Sequence, residues 1–474
     1  MRRGFGVALA ATMLVSGCGM PFSQPPLAEK HAELGVEKAA ASWAPLAVKD
    51  IASLTVEAPP APASAQFRTE LAELEALQSR RNAADVKQIE TWNAQAAPLP
   101  WSALTDELLI DAGTAPPRAA RALAIVHAAM FDATVAAWRA KAIYSRALPK
   151  AYEPKLAPLA GDAGIPSYPS EHAAISGAAS AALAYVFPEK AAEFRAKARL
   201  AAETRLLAGA NVRSDIEAGL KLGEEVAKQV IALCEADGSH QPDSGAVPAA
   251  AEQWGHSRAM EPHAGSWKTW LLDSGSQFRL PAPPSIESPE LKAELAEVQS
   301  EVASLPQHAW KVEQARYWNF DVPAIIWSKR AQKLSKLYRL STPQTARVLA
   351  VLAAIEADAF IACWDTKYAI RRPRPSDVDP SLLVGNASRP AMPFPTPPHP
   401  SYPSGHAAAS MAAATYLKTV FPEDSTDLLD DANQAAMSRL YAGIHYRSDN
   451  ADGLTLGKRC AEFMMDKLKA RGTL

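Results

Sequence analysis

The sequence lacks an excess of charge of either sign: 49 Lys and Arg face 51 Asp and Glu, for a net charge of −2. Without a clustered basic surplus the chain is not a general nucleic-acid binder. Beyond its first residues it has no run of 18 uncharged apolar positions, so nothing further along is expected to span a bilayer. Cysteine is scarce. Besides Cys18 there are only Cys234, Cys363 and Cys460, an odd number that permits at most one intramolecular bridge. Their spacing does not fit a zinc site, and they read as core residues. Glycine is also sparse beside proline, 23 against 38, which points to long irregular connections. Val-, Ile- and Thr-rich runs are outnumbered by Ala-rich ones, so helix should dominate. At 474 residues and 48% hydrophobic positions, the chain can fill two sizeable cores.

The start of the chain reads as a leader. Arg2 and Arg3 precede an apolar run from Phe5 to Val15, and Val15-Ser16-Gly17 leads into Cys18. This order is similar to a bacterial lipoprotein signal. Residues 1–17 would be removed, Cys18 lipidated, and the protein exported and held at the membrane by that anchor alone. Residues 18–89, rich in Ala, Pro and Glu, read as a tether with one helix between Ala65 and Arg81.

A repeat organises the rest. Ser167-Tyr168-Pro169-Ser170-Glu171-His172 recurs as Ser401-Tyr402-Pro403-Ser404-Gly405-His406, 234 residues on. Arg213-Ser214-Asp215 recurs as Arg447-Ser448-Asp449, and Leu222-Gly223 as Leu456-Gly457. Upstream the offset is 226, matching Trp92-Asn93, Asp132, Trp138 and Lys141 to Trp318-Asn319, Asp358, Trp364 and Lys367. An all-α chain of two tandem, duplicated helical bundles is therefore expected, over residues 90–235 and 316–474. A Pro- and Trp-rich connector, 236–315, should pack over them and rim a cleft.

The second unit carries the chemistry. Lys367 and Arg374-Pro375, then Pro403-Ser404-Gly405-His406, then Ser438-Arg439, His445 and Asp449, offer three cations, a helix N-terminus and two histidines. Guanidinium forks and a lysine suit a tetrahedral oxyanion, and backbone N–H groups near Gly405 add donors. One histidine can attack or ligate the central atom while the other moves a proton. Asp449, four residues after His445, can fix that ring's tautomer.

Lys-x6-Arg-Pro, Pro-Ser-Gly-His and Ser-Arg-x5-His-x3-Asp, in this order, resemble the superfamily of type 2 phosphatidic acid phosphatases, bacterial acid phosphatases and vanadium-dependent haloperoxidases. The resemblance implies that Lys367, Arg374, Ser404, Gly405 and Arg439 hold the oxyanion. In a phosphatase, His445 would form a phosphohistidine, His406 would protonate the leaving oxygen, and no cofactor would be needed. In a haloperoxidase, His445 would be the axial ligand of vanadate and His406 the acid–base in halide oxidation by hydrogen peroxide.

The twin-bundle layout looks like the haloperoxidase branch. So does His399, at a position where it would tune the substrate. Ser448 before Asp449 looks instead like the phosphatases. A third reading, an anion-binding lipoprotein without turnover, fits less well, since capture alone needs no paired histidines. The first unit keeps Lys141, His172 and Arg205 but has Leu148, Glu171 and Asn211 where the second has Arg374, Gly405 and His445. It should be structural, leaving one active site per chain for a small substrate: a phosphoester, or peroxide and halide.

Overall fold

The structure, a computed structural model, describes residues 38–161, 164–241, 244–250, 253–383 and 395–474. The leader and Cys18 lie outside the described residues. In the first half, helices run over Ala65–Arg80 (α1), Ala83–Asn93 (α2), Pro98–Asp111 (α3), Pro116–Tyr144 (α4), Glu171–Val186 (α5), Ala191–Leu207 (α6) and Arg213–Glu235 (α7). A short antiparallel hairpin follows, Ser244–Val247 (β1) and His256–Met260 (β2). The second half holds Pro289–Ala303 (α8), Ala309–Phe320 (α9), Pro323–Leu337 (α10), Thr342–Ile370 (α11) and Pro375–Val378 (α12). Gly405–Val420 (α13), Ser425–Tyr441 (α14) and Arg447–Arg471 (α15) complete it.

Two 29-residue helices, α4 and α11, form the centre. Each has proline in its first turn, where a missing N–H costs nothing, and each ends on a left-handed residue, Ser145 and Arg371. Alanine lines their buried faces, which lets the two axes approach each other closely. The stretch from Pro116 to Ala151 is apolar enough to cross a membrane, yet 94% of its apolar window is buried inside the protein. It is a core helix.

Packing explains why Leu-Gly recurs. A Cβ on Gly223 would lie 2.0 Å from the Ala174 carbonyl oxygen, and one on Gly457 would lie 2.0 Å from that of Ala408. Only glycine lets α7 seat on α5, and α15 on α13. Cys234, Cys363 and Cys460 are buried free thiols, as expected of core residues.

Residues 38–89 are no tether. Trp43, Leu46, Val48 and Ile51 are buried, and Trp43 stacks on Phe131 with centroids 6.2 Å apart. The Asp132 carboxylate accepts the N–H groups of Leu46, Ala47 and Val48 at 2.6–2.9 Å. In the second half, Asp358 accepts those of Trp270, Leu271 and Leu272 at 2.7–2.8 Å. These carboxylates, in the middle of apolar helices, are the sockets into which each preceding segment plugs.

The correspondence between the halves reaches into both segments read as spacers. Ser64 and Ser288 cap α1 and α8. Glu70 and Glu294 accept from the hydroxyls of Ser214 and Ser448, and Glu73 and Glu297 pair with Arg213 and Arg447. Helix α8 thus stands to the second half as α1 stands to the first. The connector's remaining part, the hairpin, lies against α11: Met260 O accepts from Trp364 Nε1 and Tyr368 Oη.

Candidate active site

Each expected site residue falls at a helix end or in the loop between α11 and α13. Lys367 sits in the last turn of α11, and Arg374 is the cap of α12. Ser404 caps α13, its Oγ accepting from Ala407 N, and Gly405 and His406 open that helix. Arg439 lies in the last turn of α14, with His445 and Asp449 around the start of α15. Lys367, Arg374, Arg439, Ser404 and Asp449 are all fully buried.

His445 is gripped from both sides. Its Nδ1 lies 3.1 Å from Asp449 Oδ2 and its Nε2 lies 3.1 Å from Arg374 Nη1. An arginine N–H can only donate, so Nε2 accepts and Nδ1 carries the proton to Asp449. Burial, with Arg374 beside it, pushes this histidine down to about 3, so the ring is neutral. Asp449 is held well below the ordinary carboxylate range, against its burial, by Arg372 and His445. Its Oδ1 accepts from Arg372 Nη1 at 2.7 Å, and its Oδ2 also accepts from Ser401 Oγ and Tyr446 N.

The remaining parts converge on the same point. Arg374 donates from Nε to His399 O at 2.9 Å and from Nη2 to His399 Nδ1 at 3.0 Å. Lys367 Nζ donates to the carbonyls of Pro400 and Ser401 at 2.8 and 3.0 Å. Arg439 donates to Ser438 Oγ, Asn319 Oδ1 and Ala315 O. His406 Nε2 lies 2.8 Å from Trp318 O, which makes it the protonated nitrogen. Burial pushes Lys367 down to about 7, Arg374 to about 10 and Arg439 to about 9.

Among the described residues, no carboxylate lies within ion-pair distance of Lys367 or Arg374. This donor set fits a tetrahedral oxyanion: the side chains of Lys367 and Arg374 donate to neutral carbonyl oxygens and imidazole nitrogens. Gly405, His399, His406 and His445 line a cavity of about 300 Å³ over this cluster. Most of its remaining lining is apolar, with Phe360, Trp364 and Ile325 from the second half and Leu109 and Pro116 from the first, while Thr114, Asn319 and Asp321 add polar groups. A Cβ on Gly405 would meet the Trp364 ring at 3.1 Å, so the glycine also answers to the aromatic wall.

Arg372, Ser401, Trp318 and Asn319 carry contacts that the sequence reading did not assign to the site. A signal was there, since Trp318-Asn319 and Arg372 each have a partner 226 residues earlier. In the first half, Arg146 pairs with Asp215, and Arg205 Nη1 donates to Asn93 Oδ1 at 2.7 Å. Asn211 fills the histidine position, donating to Ser167 O at 2.8 Å and accepting from Arg205 Nε at 3.1 Å. The frame is kept there and the second histidine is not.

Residues 346–472 match the PAP2 superfamily. They are a PAP2 superfamily domain. Lys367, Arg374, Ser404, Gly405, His406, Arg439, His445 and Asp449 all fall within this stretch.

The chain is 32% identical over 114 residues to the vanadium-dependent bromoperoxidase of Corallina officinalis, covering 18% of each protein. It is 35% identical over 103 residues to the decaprenylphosphoryl-5-phosphoribose phosphatase of Mycolicibacterium smegmatis, covering 21% of this chain and 51% of that one. It therefore spans about a fifth of the first relative and about half of the second.

Solved structures extend the likeness of fold over both halves. A bacterial vanadium-dependent iodoperoxidase superposes with a TM-score of 0.62 at 22% identity, over 78% of this chain and 95% of that one. An apo bacterial vanadium-dependent chloroperoxidase gives 0.54 at 15% identity, over 75% and 94%.

Proposed function

We propose that this PAP2 superfamily protein is a vanadium-dependent haloperoxidase-like enzyme that oxidises halide with hydrogen peroxide. One observation carries the reading: the neutral His445 presents Nε2 to buried cations beside a cavity of only about 300 Å³. That volume is at the lower end of the roughly 300–1,000 Å³ usual for ligand pockets. It suits an oxyanion with peroxide and halide better than a phosphoester with a large leaving group. The two-half layout, shared with the iodoperoxidase along 95% of its length, supports the same reading.

Lys367, Arg374, Ser404, Gly405 and Arg439 would hold vanadate, with His445 Nε2 as its protein ligand. Bound vanadate would supply an electrophilic centre that activates peroxide toward a halide. Asp449 keeps the proton on His445 Nδ1, so that Nε2 stays a lone-pair donor. Trp318 O fixes the proton on His406 Nε2, leaving Nδ1 as the nitrogen that takes up and returns a proton. Helices and the apolar walls exclude bulk water from these groups, which strengthens each electrostatic contact.

The mycobacterial relative favours a second reading, a phosphomonoesterase working through a phosphohistidine on His445. The phosphatase-like Ser448 does not add to it. Its hydroxyl donates to Glu294 and accepts from Arg372, and Ser214 makes the same contacts in the half that lacks the histidine. Ser448 is a clip for α8. Binding without turnover is the weakest reading, because both His406 and His445 are in place.

Two assays on the purified protein separate these readings. Bromide or iodide oxidation that requires added vanadate and peroxide is the expected result. Robust hydrolysis of p-nitrophenyl phosphate, inhibited by vanadate and without halide oxidation, would overturn it in favour of the phosphatase.

A further inference from the structure

The larger cavity lies in the half without the second histidine. It measures about 960 Å³ and surrounds the counterpart of the catalytic cluster. Lys141, Arg205 and Glu171, all buried, reach it from the first half. Lys336 and Arg339, from the end of α10, stand exposed at its rim and make no side-chain hydrogen bond or ion pair among the described residues. Arg339 is one of four non-glycine residues with positive φ among the described residues, at 50°. That conformation costs energy in a side-chain-bearing residue. Here it turns the chain at the lip of the cavity. Ser335, 1% exposed, also lines the cavity, and its Oγ has no hydrogen-bond partner. Buried hydroxyls are normally satisfied, and an orphan at a cavity wall marks a place where a ligand or water donates or accepts.

We infer that this first-half cleft binds a small polyhydroxylated anion, a sugar phosphate or sugar carboxylate, without turning it over. Three features define the class. Among the described lining residues, four cations (Lys141, Arg205, Lys336, Arg339) face one carboxylate (Glu171), so the ligand is an anion. The remaining polar wall is built of hydroxyls and amides, among them Ser170, Ser335, Thr342 and Asn211, which match a ligand carrying several hydroxyl groups. No Phe, Tyr or Trp is among the described lining residues and His172 supplies their single aromatic ring, so a nucleobase would find little stacking surface.

Glu171 separates this site from its armed counterpart. It stands where Gly405 stands in the second half, at the N-terminus of α5. There a carboxylate repels a bare tetrahedral oxyanion but accepts hydrogen bonds from sugar hydroxyls. Asn211 in place of the histidine supplies no comparable nucleophile, so the ligand would stay intact.

Calorimetric titration of the full chain with glucose 6-phosphate, gluconate, glucose, inorganic phosphate and AMP tests the inference, with hydrogen–deuterium exchange to locate the site. One equivalent of glucose 6-phosphate or gluconate should bind and protect residues 205–212 and 335–342. Whichever of the two binds tighter identifies the anionic group. Glucose and inorganic phosphate should each bind at least about tenfold more weakly, since each lacks half of the contacts. The double variant K336A/R339A, which changes only exposed side chains, should weaken glucose 6-phosphate and gluconate by at least about tenfold and leave melting unchanged. Any of four outcomes would overturn the proposal: no binding of either sugar anion, protection confined to 399–406 and 439–445, AMP binding as tight as glucose 6-phosphate, or inorganic phosphate binding equally well.

Discussion

Arg374 Nη1 lies 3.1 Å from His445 Nε2, so the atom expected to meet the reacting centre is covered by a cation that the same centre would attract. An incoming oxyanion must exchange that contact, drawing the guanidinium onto its own oxygens and uncovering the lone pair. His445→Ala should therefore keep oxyanion binding, because the cations remain, while turnover falls on the order of 10³-fold or more. Equilibrium dialysis with vanadate beside a halide-oxidation assay checks both halves. Loss of binding equal to the loss of turnover would show the histidine to be mainly an anchor.

Lys367 predicts a proton linkage. Unfolded, it keeps its proton up to about 10.5; folded and anion-free, burial pushes it down to about 7. Between those values the unfolded state holds more protons, so stability of the anion-free protein rises with pH and is lost as pH falls toward 7. A bound oxyanion restores the charge. Binding at pH 8, above Lys367 and below Arg439, should take up close to one proton per anion, read by calorimetry in buffers of different ionisation enthalpy. Lys367→Met should abolish the uptake.

The Arg372–Asp449 pair and its counterpart Arg146–Asp215 allow a controlled comparison. Each carboxylate is completely buried, and removing one partner of such a pair costs about 3–5 kcal/mol. Asp449→Asn and Asp215→Asn should lower the melting temperature alike. Only Asp449→Asn should also cut the turnover of the protein that remains folded, because only Asp449 holds the tautomer of a histidine.

Asn319 tests the covering helix α9. Its Oδ1 lies 3.2 Å from Arg439 Nη1, and a hydrogen bond to a charged group contributes about 1.5–3 kcal/mol. Asn319→Ala should weaken oxyanion binding about tenfold or more with the maximal rate little changed, measured as apparent vanadate affinity in the activity assay.

Gly457→Ala should destabilise the second half by about 1–3 kcal/mol, the usual cost of forcing a methyl into a packed core. The new Cβ would sit 2.0 Å from the Ala408 carbonyl, and relief requires α15 to move off α13. Chemical denaturation should show the loss. Gly223→Ala should match it in the first half.

Much of the site was legible because its chemistry is local in sequence. Lys367 in the last turn of α11 and Arg374 at the cap of α12 are seven residues apart, and His445 and Asp449 share one turn, so spacing alone brought them together. The bundles were legible through alanine-rich periodicity and the repeat. What escaped was carried by sparse residues inside misleading composition. Trp43, Leu46 and Val48 sit in an Ala- and Pro-rich stretch that reads as linker until Asp132 is seen to hold its backbone. Arg372 escaped because a buried arginine and a solvated one look the same in sequence, and its partners Glu294 and Asp449 come from distant helices.

Leu109, Ile110 and Pro116 of the first half wall the cavity that holds His445, and Trp318, outside the matched stretch 346–472, fixes His406. The half without the second histidine thus supplies part of the wall around its neighbour's histidines. Cutting the chain down to its recognisable domain would strip a wall from the cavity and the carbonyl from the proton-carrying ring, leaving every motif intact and the machine open to water.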